Sequence, residues 1–216
     1  MIYKRGHNYP GLLISFDGRD GCGKSTQCNK FTDFLLLNIY KIVQAREPGG
    51  TELGEEIRKV LLNPRFKLSA YSELFLFQTS RTQLVTEIII PALENRKIVC
   101  LDRFFDSTTA YQGSAGEVPL NFIFYTNRIS SQEISPDRTY VLDVDSKTSA
   151  KRIGRELDRI ESKNREYHER VRKAFIGLSK LEPDRIKLID GMRDPDKIHK
   201  EIIKDFNDLV NQFGYQ

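Results

Sequence analysis

The sequence predicts an α/β fold in which a central five-stranded parallel sheet is flanked by helices. Two observations carry this. Five short runs of aliphatic and β-branched residues recur along the chain, separated by stretches long enough to cross back as helices. Between the first run and the first helical stretch lies Gly18-Arg19-Asp20-Gly21-Cys22-Gly23-Lys24-Ser25. Its spacing, glycine, four residues, Gly-Lys-Ser, is that of a strand–loop–helix phosphate site.

Each element follows from its residues. Leu12-Leu13-Ile14-Ser15-Phe16 is the first strand, and Thr26 to about Leu37 the first helix. Tyr40 to Arg46 is the second strand, closed by the turn Glu47-Pro48-Gly49-Gly50, whose glycines permit positive φ. Thr51 or Glu52 opens a helix that ends near Asn63-Pro64. A long helical stretch begins near Tyr71, with Pro91 as a kink or boundary. Lys97 to Leu101 is the third strand and ends in Asp102; Thr139 to Asp143 is the fourth and Arg185 to Ile189 the fifth. In the last helix Ile198, Ile202, Phe206, Leu209 and Phe213 recur in steps of three and four, which assigns them to the core. Residues 1–10 are polar and basic and read as a loose N-terminal arm; 11–216 read as one domain, with a lid at about 147–163. Ligands of parallel sheets bind beyond the carboxyl ends of the strands, so Asp20, Arg46, Asp102 and Asp190 are expected at one rim.

Composition excludes several classes. The 216 residues carry 34 Lys and Arg against 30 Asp and Glu, a net charge of +4. That is too modest and too dispersed for a nucleic-acid-binding surface. Cys22, Cys28 and Cys100 form no disulfide framework, which fits a reducing, cytoplasmic setting. His7, His168 and His199 lack zinc-ligand spacing, and no apolar run reaches membrane-span length.

The chemistry starts at the loop. Its glycines let backbone N–H groups converge on a phosphate, and the following helix adds its positive end. Lys24 supplies a point charge for the β- and γ-phosphates, and the Ser25 hydroxyl is a ligand for Mg²⁺. Gly18, Arg19, Asp20, Gly21, Cys22, Gly23, Lys24, Ser25 and Thr26 are therefore the expected ATP-binding segment. Asp102, at a strand end downstream of such a loop, is the expected second metal ligand. Arg103 has a fork suited to phosphate, or pairs locally with Asp102 or Asp106. Phe77 and Arg81 share a helix face. They hold a base between an aromatic plate and a planar donor, or they are core packing beside a surface arginine. Lys151, Arg152, Arg155 and Arg159 form a helix of i,i+4 ion pairs or a mobile lid that brings arginines to transferring phosphates, with Gly154 as its hinge.

Several separated stretches together resemble one family. They are Phe16-Asp17-Gly18 through Ser25-Thr26-Gln27; Arg46-Glu47-Pro48-Gly49-Gly50-Thr51; Phe77 with Arg81 and Gln83; Asp102-Arg103-Phe104 with Ser107-Thr108 and Ala110-Tyr111-Gln112-Gly113; and Glu156-Leu157-Asp158-Arg159-Ile160-Glu161. They resemble the bacterial type of thymidylate kinase (dTMP kinase), over nearly the whole chain after the arm. The resemblance implies a P-loop kinase fold and transfer of the γ-phosphoryl group of ATP to dTMP with Mg²⁺, in a homodimer. It implies that Asp20 accepts a hydrogen bond from the sugar 3′-hydroxyl, that Phe77 stacks on thymine and that Arg81 bonds a ring carbonyl. Arg103 and Arg46 then lie at the dTMP phosphate, Tyr111 sits against the deoxyribose, and Ser107, Thr108 and Gln112 complete the dTMP site. Asp190 to Arg193 lie near adenine. One group of the family carries an arginine where this chain has Gly21; the other supplies it from the lid, which makes Arg152 and Arg155 the expected contacts of the transferring phosphoryl group. The chain departs from the family pattern at Gly154-Arg155, at Thr109 and at Arg19. A kinase for another monophosphate such as dUMP or CMP, and a nucleotide-binding protein with weakened transfer activity, are the alternative readings.

Overall fold

The computed structural model describes residues 6–154 and 156–215. Strands β1 (Leu12–Asp17), β2 (Ile42–Arg46), β3 (Ile98–Asp102), β4 (Arg138–Asp143) and β5 (Ile186–Asp190) form one sheet in the order β2-β3-β1-β4-β5. Every pairing is parallel. The expected five-stranded α/β architecture is therefore present, with boundaries within two residues of those read from sequence. β1 lies at the centre and all six of its residues are buried, which is why it shows no alternation of apolar and polar positions.

One face of the sheet is covered by α1 (Lys24–Leu37) and α9 (Pro195–Phe213). There Ile14, Phe16, Phe31, Leu35, Ile202 and Phe206 close a single cluster. Each such side chain contributes about 1.5–3 kcal/mol on full burial. On the other face Leu13, Val99 and Leu101 meet Leu84, Val85, Ile89 and Leu93. These come from α3 (Ala70–Leu84), a π-helical turn over Val85–Ile89 and α4 (Ile90–Glu94). Pro91 falls in the first turn of α4, where its missing N–H needs no partner, so it is the boundary the sequence suggested. The remaining helices are α2 (Glu52–Leu62), α5 (Phe105–Thr108), α6 (Leu120–Ser130), α7 (Ser146–Arg152) and α8 (Arg165–Leu181); α5 runs on into a π-helical turn over Thr109–Ser114.

Register sets the site. Asp102 of β3 lies opposite both Phe16 of β1 and Arg46 of β2, and Asp143 of β4 lies opposite Asp190 of β5. The carboxyl ends of all five strands thus open on one edge.

The expectation of a loose arm through residue 10 is corrected for its described part. His7 is buried, its Nε2 lies 3.0 Å from Asp137 Oδ2, and that oxygen also accepts the Leu13 N–H. The Gly6 carbonyl accepts from the Ser135 N–H. A polar segment stays ordered when a buried carboxylate supplies its partner. Residues 1–5 lie outside the described residues.

Candidate active site

The loop after β1 is built as its spacing requires. Gly18, Gly21 and Gly23 all have positive φ, at 129°, 71° and 96°. A Cβ at Gly18 would stand 2.6 Å from the Leu142 carbonyl oxygen, so no larger residue fits there. Gly23 caps α1 in the left-handed conformation, with no side chain covering the helix's first N–H groups. Those donors and Lys24, the first helical residue, face the same space.

Beside the loop three side chains lock together. Arg103 follows β3 with a positive φ of 75°, a strained conformation for arginine. Its guanidinium donates to the Gly18 carbonyl at 2.8 Å, to Ser107 Oγ at 3.0 Å and to Asp20 Oδ1 at 2.5 Å. It also lies over the Tyr111 ring, and the Tyr111 hydroxyl donates to Asp20 Oδ2 at 3.0 Å. Burial alone would raise the Asp20 carboxyl, but Arg103, Lys24 and the Tyr111 hydrogen bond outweigh it and hold it well below the usual carboxylate range. Arg103 thus pairs with Asp20 across the site, and with neither Asp102 nor Asp106.

Ser25 Oγ donates to Asp102 Oδ2 at 2.5 Å. An exposed hydroxyl and an adjacent half-buried carboxylate, next to Lys24, are the hard donors that Mg²⁺ accepts when phosphates and water complete its shell. The expected pair is thus in contact and fits the ion. Among the described residues no group of three or more His, Cys, Asp and Glu is placed to hold a metal.

A cleft opens from this centre toward α2 and α3. Asp20, Lys24, Ser25, Arg46, Phe77, Arg81, Asp102, Arg103, Ser107, Thr108, Tyr111 and Gln112 all line it. Phe77 offers a partly buried ring to it, whereas Phe75 turns outward against Tyr71 and Phe122. Arg81 departs from expectation. It is 1% exposed, and all five of its N–H groups have protein acceptors. Nε and Nη2 hold the Glu47 carboxylate, Nη2 also donates to Thr108 Oγ1, and Nη1 donates to Gln78 and Asn127. The expected free donor for a ring carbonyl is therefore already engaged in bracing the Glu47-Pro48 turn, because buried guanidinium and carboxylate groups must satisfy each other. Gln112 is engaged likewise, donating to Glu73 at 2.8 Å.

The model of the family described as thymidylate kinase matches residues 16–202. The chain belongs to the thymidylate kinase family. Among its relatives, a thymidylate kinase from Kosmotoga olearia is 41% identical over 94% of this chain and 99% of that protein. Another, from Thermoanaerobacter sp., is 44% identical over 94% of this chain and 98% of its own. The crystal structure of thymidylate kinase from Ehrlichia chaffeensis superposes with a TM-score of 0.77 at 34% identity, covering 91% of this chain and 98% of that one.

In this member of the thymidylate kinase family the outer residues of the site are distributed unevenly. Asp190 and Arg193 stand at the end of β5, outside the cleft. The Asp190 carboxylate accepts the Met192 N–H, and Arg193 donates to Glu201. Gly191 between them approaches the Cys22 carbonyl, so this segment adjoins the phosphate loop. Arg152 ends α7 and donates to the Gly191 carbonyl at 3.1 Å; it is exposed and does not line the cleft. Arg155 lies outside the described residues. Of the two readings of this stretch, a continuous helix of i,i+4 pairs is not what forms: α7 stops at Arg152, and Arg159 donates to Glu73 at 2.6 Å and to the Leu61 carbonyl at 2.8 Å. Arg19 turns away from the phosphate side of its loop, toward Ser146. Thr109 is buried away from the cleft, accepting from Asn127. A side chain at Gly21 would overlap the Ser149 carbonyl, so the α7 contact leaves no room for an arginine there.

Three features escaped the sequence reading. Arg58 lines the cleft and donates to the Pro48 carbonyl at 2.9 Å; an arginine on a helix gave no local signal. Asp158 and Glu161 line it from the far side. Asp17, the last residue of β1, is fully buried: Oδ1 accepts from Ser107 Oγ at 2.5 Å, and Oδ2 has no partner among the described residues. Burial, with Asp106 nearby, pushes its carboxyl up to about 7 against the pull of Ser107 and Arg103. An acid ending an apolar strand was the available signal.

Proposed function

We propose that this chain transfers the γ-phosphoryl group of ATP to dTMP, giving dTDP and ADP, between two nucleotides that meet at Asp20, Lys24 and Arg103. The observation that carries this is the continuity of the phosphate loop with a cleft lined by Lys24 and Arg46, an aromatic wall and a partly buried Asp–Arg–Tyr lock. The backbone of residues 18–26 and Lys24 hold the ATP phosphates, and the segment from Asp190 to Arg193 borders the adenine. Arg46 and Arg103 receive the dTMP phosphate, Phe77 stacks on thymine, and Tyr111 closes against the sugar with Asp20 as acceptor of its 3′-hydroxyl. Ser107, Thr108 and Gln112 line the rest of that pocket.

The acceptor oxygen of dTMP is already anionic at neutral pH, so no general base is required. Catalysis is alignment and charge neutralisation. Ser25 and Asp102 would hold Mg²⁺, which would supply positive charge against the β- and γ-phosphates. Arg152 and Arg155 reach the transferring group when the lid closes, which also keeps out water. The exposed Phe75, Phe124 and Ile129 on α3 and α6 suit a homodimer interface. The three cysteines are free and buried, as a cytoplasmic enzyme would carry them.

The test is ADP release with ATP and Mg²⁺ against dTMP, dUMP, dCMP, dGMP and dAMP. Turnover with dTMP well above the rest is expected, with dUMP next, since one methyl group distinguishes it by about 1–3 kcal/mol. Lys24→Ala should abolish turnover. ATP binding without turnover on any acceptor would refute the proposal in favour of a binding role.

A further inference from the structure

We infer that Arg19 is a positioning residue that fixes the root of the lid onto the phosphate loop. Its guanidinium is buried, at 6% exposure. Nη1 donates to Ser146 Oγ at 2.9 Å and stands 3.5 Å from Glu169 of α8. Ser146 is the first residue of α7, the helix that opens the segment read from sequence as the lid, about 147–163. The same helix touches the loop twice more. Ser149 Oγ donates to the Asp20 carbonyl at 2.6 Å, and the Ser149 carbonyl lies against Gly21. Ile153, the first residue beyond α7, also packs on Gly21. Arg19, Asp20 and Gly21 therefore form one docking face for the segment that carries Arg152.

Two facts separate this from ordinary packing. The Arg19 guanidinium is engaged by Ser146 and Glu169, on the side of the loop that faces α7 and α8. Its Nε is buried without an acceptor among the described residues. An apolar side chain would fill the space without that unmet donor, so stability alone does not account for an arginine. What it provides is a buried cation whose Nη1 lies between two elements at once, the start of α7 and the flank of α8. The segment read as the lid runs from α7 to just before α8. Holding both ends to the loop sets where the lid arginines begin their approach, and a small displacement of such groups is costly to the rate.

This inference rests on the proposal that lid arginines contact the transferring phosphoryl group. The experiment compares Arg19→Met, Arg19→Lys and Ser146→Ala with the full-length protein, well below the melting temperature of each. It reads kcat, KM for dTMP, and the ratio of ATP hydrolysis without acceptor to phosphoryl transfer. Arg19→Met should lower kcat about tenfold while KM for dTMP stays within about twofold, and it should raise the hydrolysis ratio, because a loosely rooted lid admits water. Arg19→Lys, which keeps the charge on a shorter side chain, should fall between; Ser146→Ala should lower kcat about threefold and serves if Arg19→Met does not fold. A folded Arg19→Met with wild-type kcat and hydrolysis ratio overturns the inference, even if its melting temperature drops. So does loss of dTMP affinity in step with kcat. Arg152→Ala and Arg155→Ala are the controls. If both keep wild-type kcat, the lid proposal has failed; if either loses it while Arg19→Met does not, only the rooting role has failed.

Discussion

Asp17→Asn should change how the stability of this protein depends on pH. The carboxyl is fully buried under the phosphate loop, one oxygen lacks a partner among the described residues, and its pKa is raised from 3.8 to about 7. A raised carboxyl pKa means that the folded state binds a proton the unfolded chain has already lost. Wild-type stability therefore falls as pH climbs from about 4 toward 7, and is flat above that for this group. Between pH 5 and 7 the loss is two pH units at about 1.4 kcal/mol each, about 3 kcal/mol. Asparagine keeps the acceptor for Ser107 and carries no charge at any of these values. The cost of its unmet N–H groups is constant with pH and cancels in the comparison. The stability of Asp17→Asn relative to wild type should thus rise by about 3 kcal/mol from pH 5 to pH 8. Urea unfolding at four pH values measures it directly, and in melting temperature it amounts to about 6–12 °C. A relative stability constant to about 0.5 kcal/mol over that range would show that Asp17 is ionised throughout and that the argument from burial is wrong.

Two further outcomes follow from the site. Arg81→Met strands the Glu47 carboxylate, 4% exposed, and should cost about 3–5 kcal/mol, lowering the melting temperature by about 10 °C and raising KM for dTMP. An unchanged melting temperature with weakened dTMP binding would mean that Arg81 serves the base rather than the turn. Ser25→Ala and Asp102→Asn should each raise the Mg²⁺ concentration for half-maximal ADP release about tenfold while leaving KM for dTMP within about twofold; a Mg²⁺ titration that matches wild type would remove these residues as ligands.

Sequence alone determined the sheet, the phosphate loop and their order. Those depend on local properties: strand-length apolar runs, glycines at positive φ, and a Lys-Ser pair at fixed spacing. The Ser25–Asp102 contact was legible for the same reason, since a loop after β1 and a carboxylate ending the neighbouring strand must adjoin. Tertiary structure decided what each polar side chain does there. Arg81 and Phe77 share a helix face as predicted, yet only the packing of Glu47, Gln78, Thr108 and Asn127 around the guanidinium shows that its donors are taken. Arg19 stood out in the sequence as a departure from the family pattern with no local reason, and only the fold brings Ser146 and Glu169 to it. Asp17 reads as the end of a strand, and only burial beside Asp106 makes it an acid that titrates near neutrality. The physical reason is common to these cases. Spacing along the chain fixes backbone conformation, whereas the state of a buried charge depends on partners that lie far away in sequence and meet it only in the folded protein.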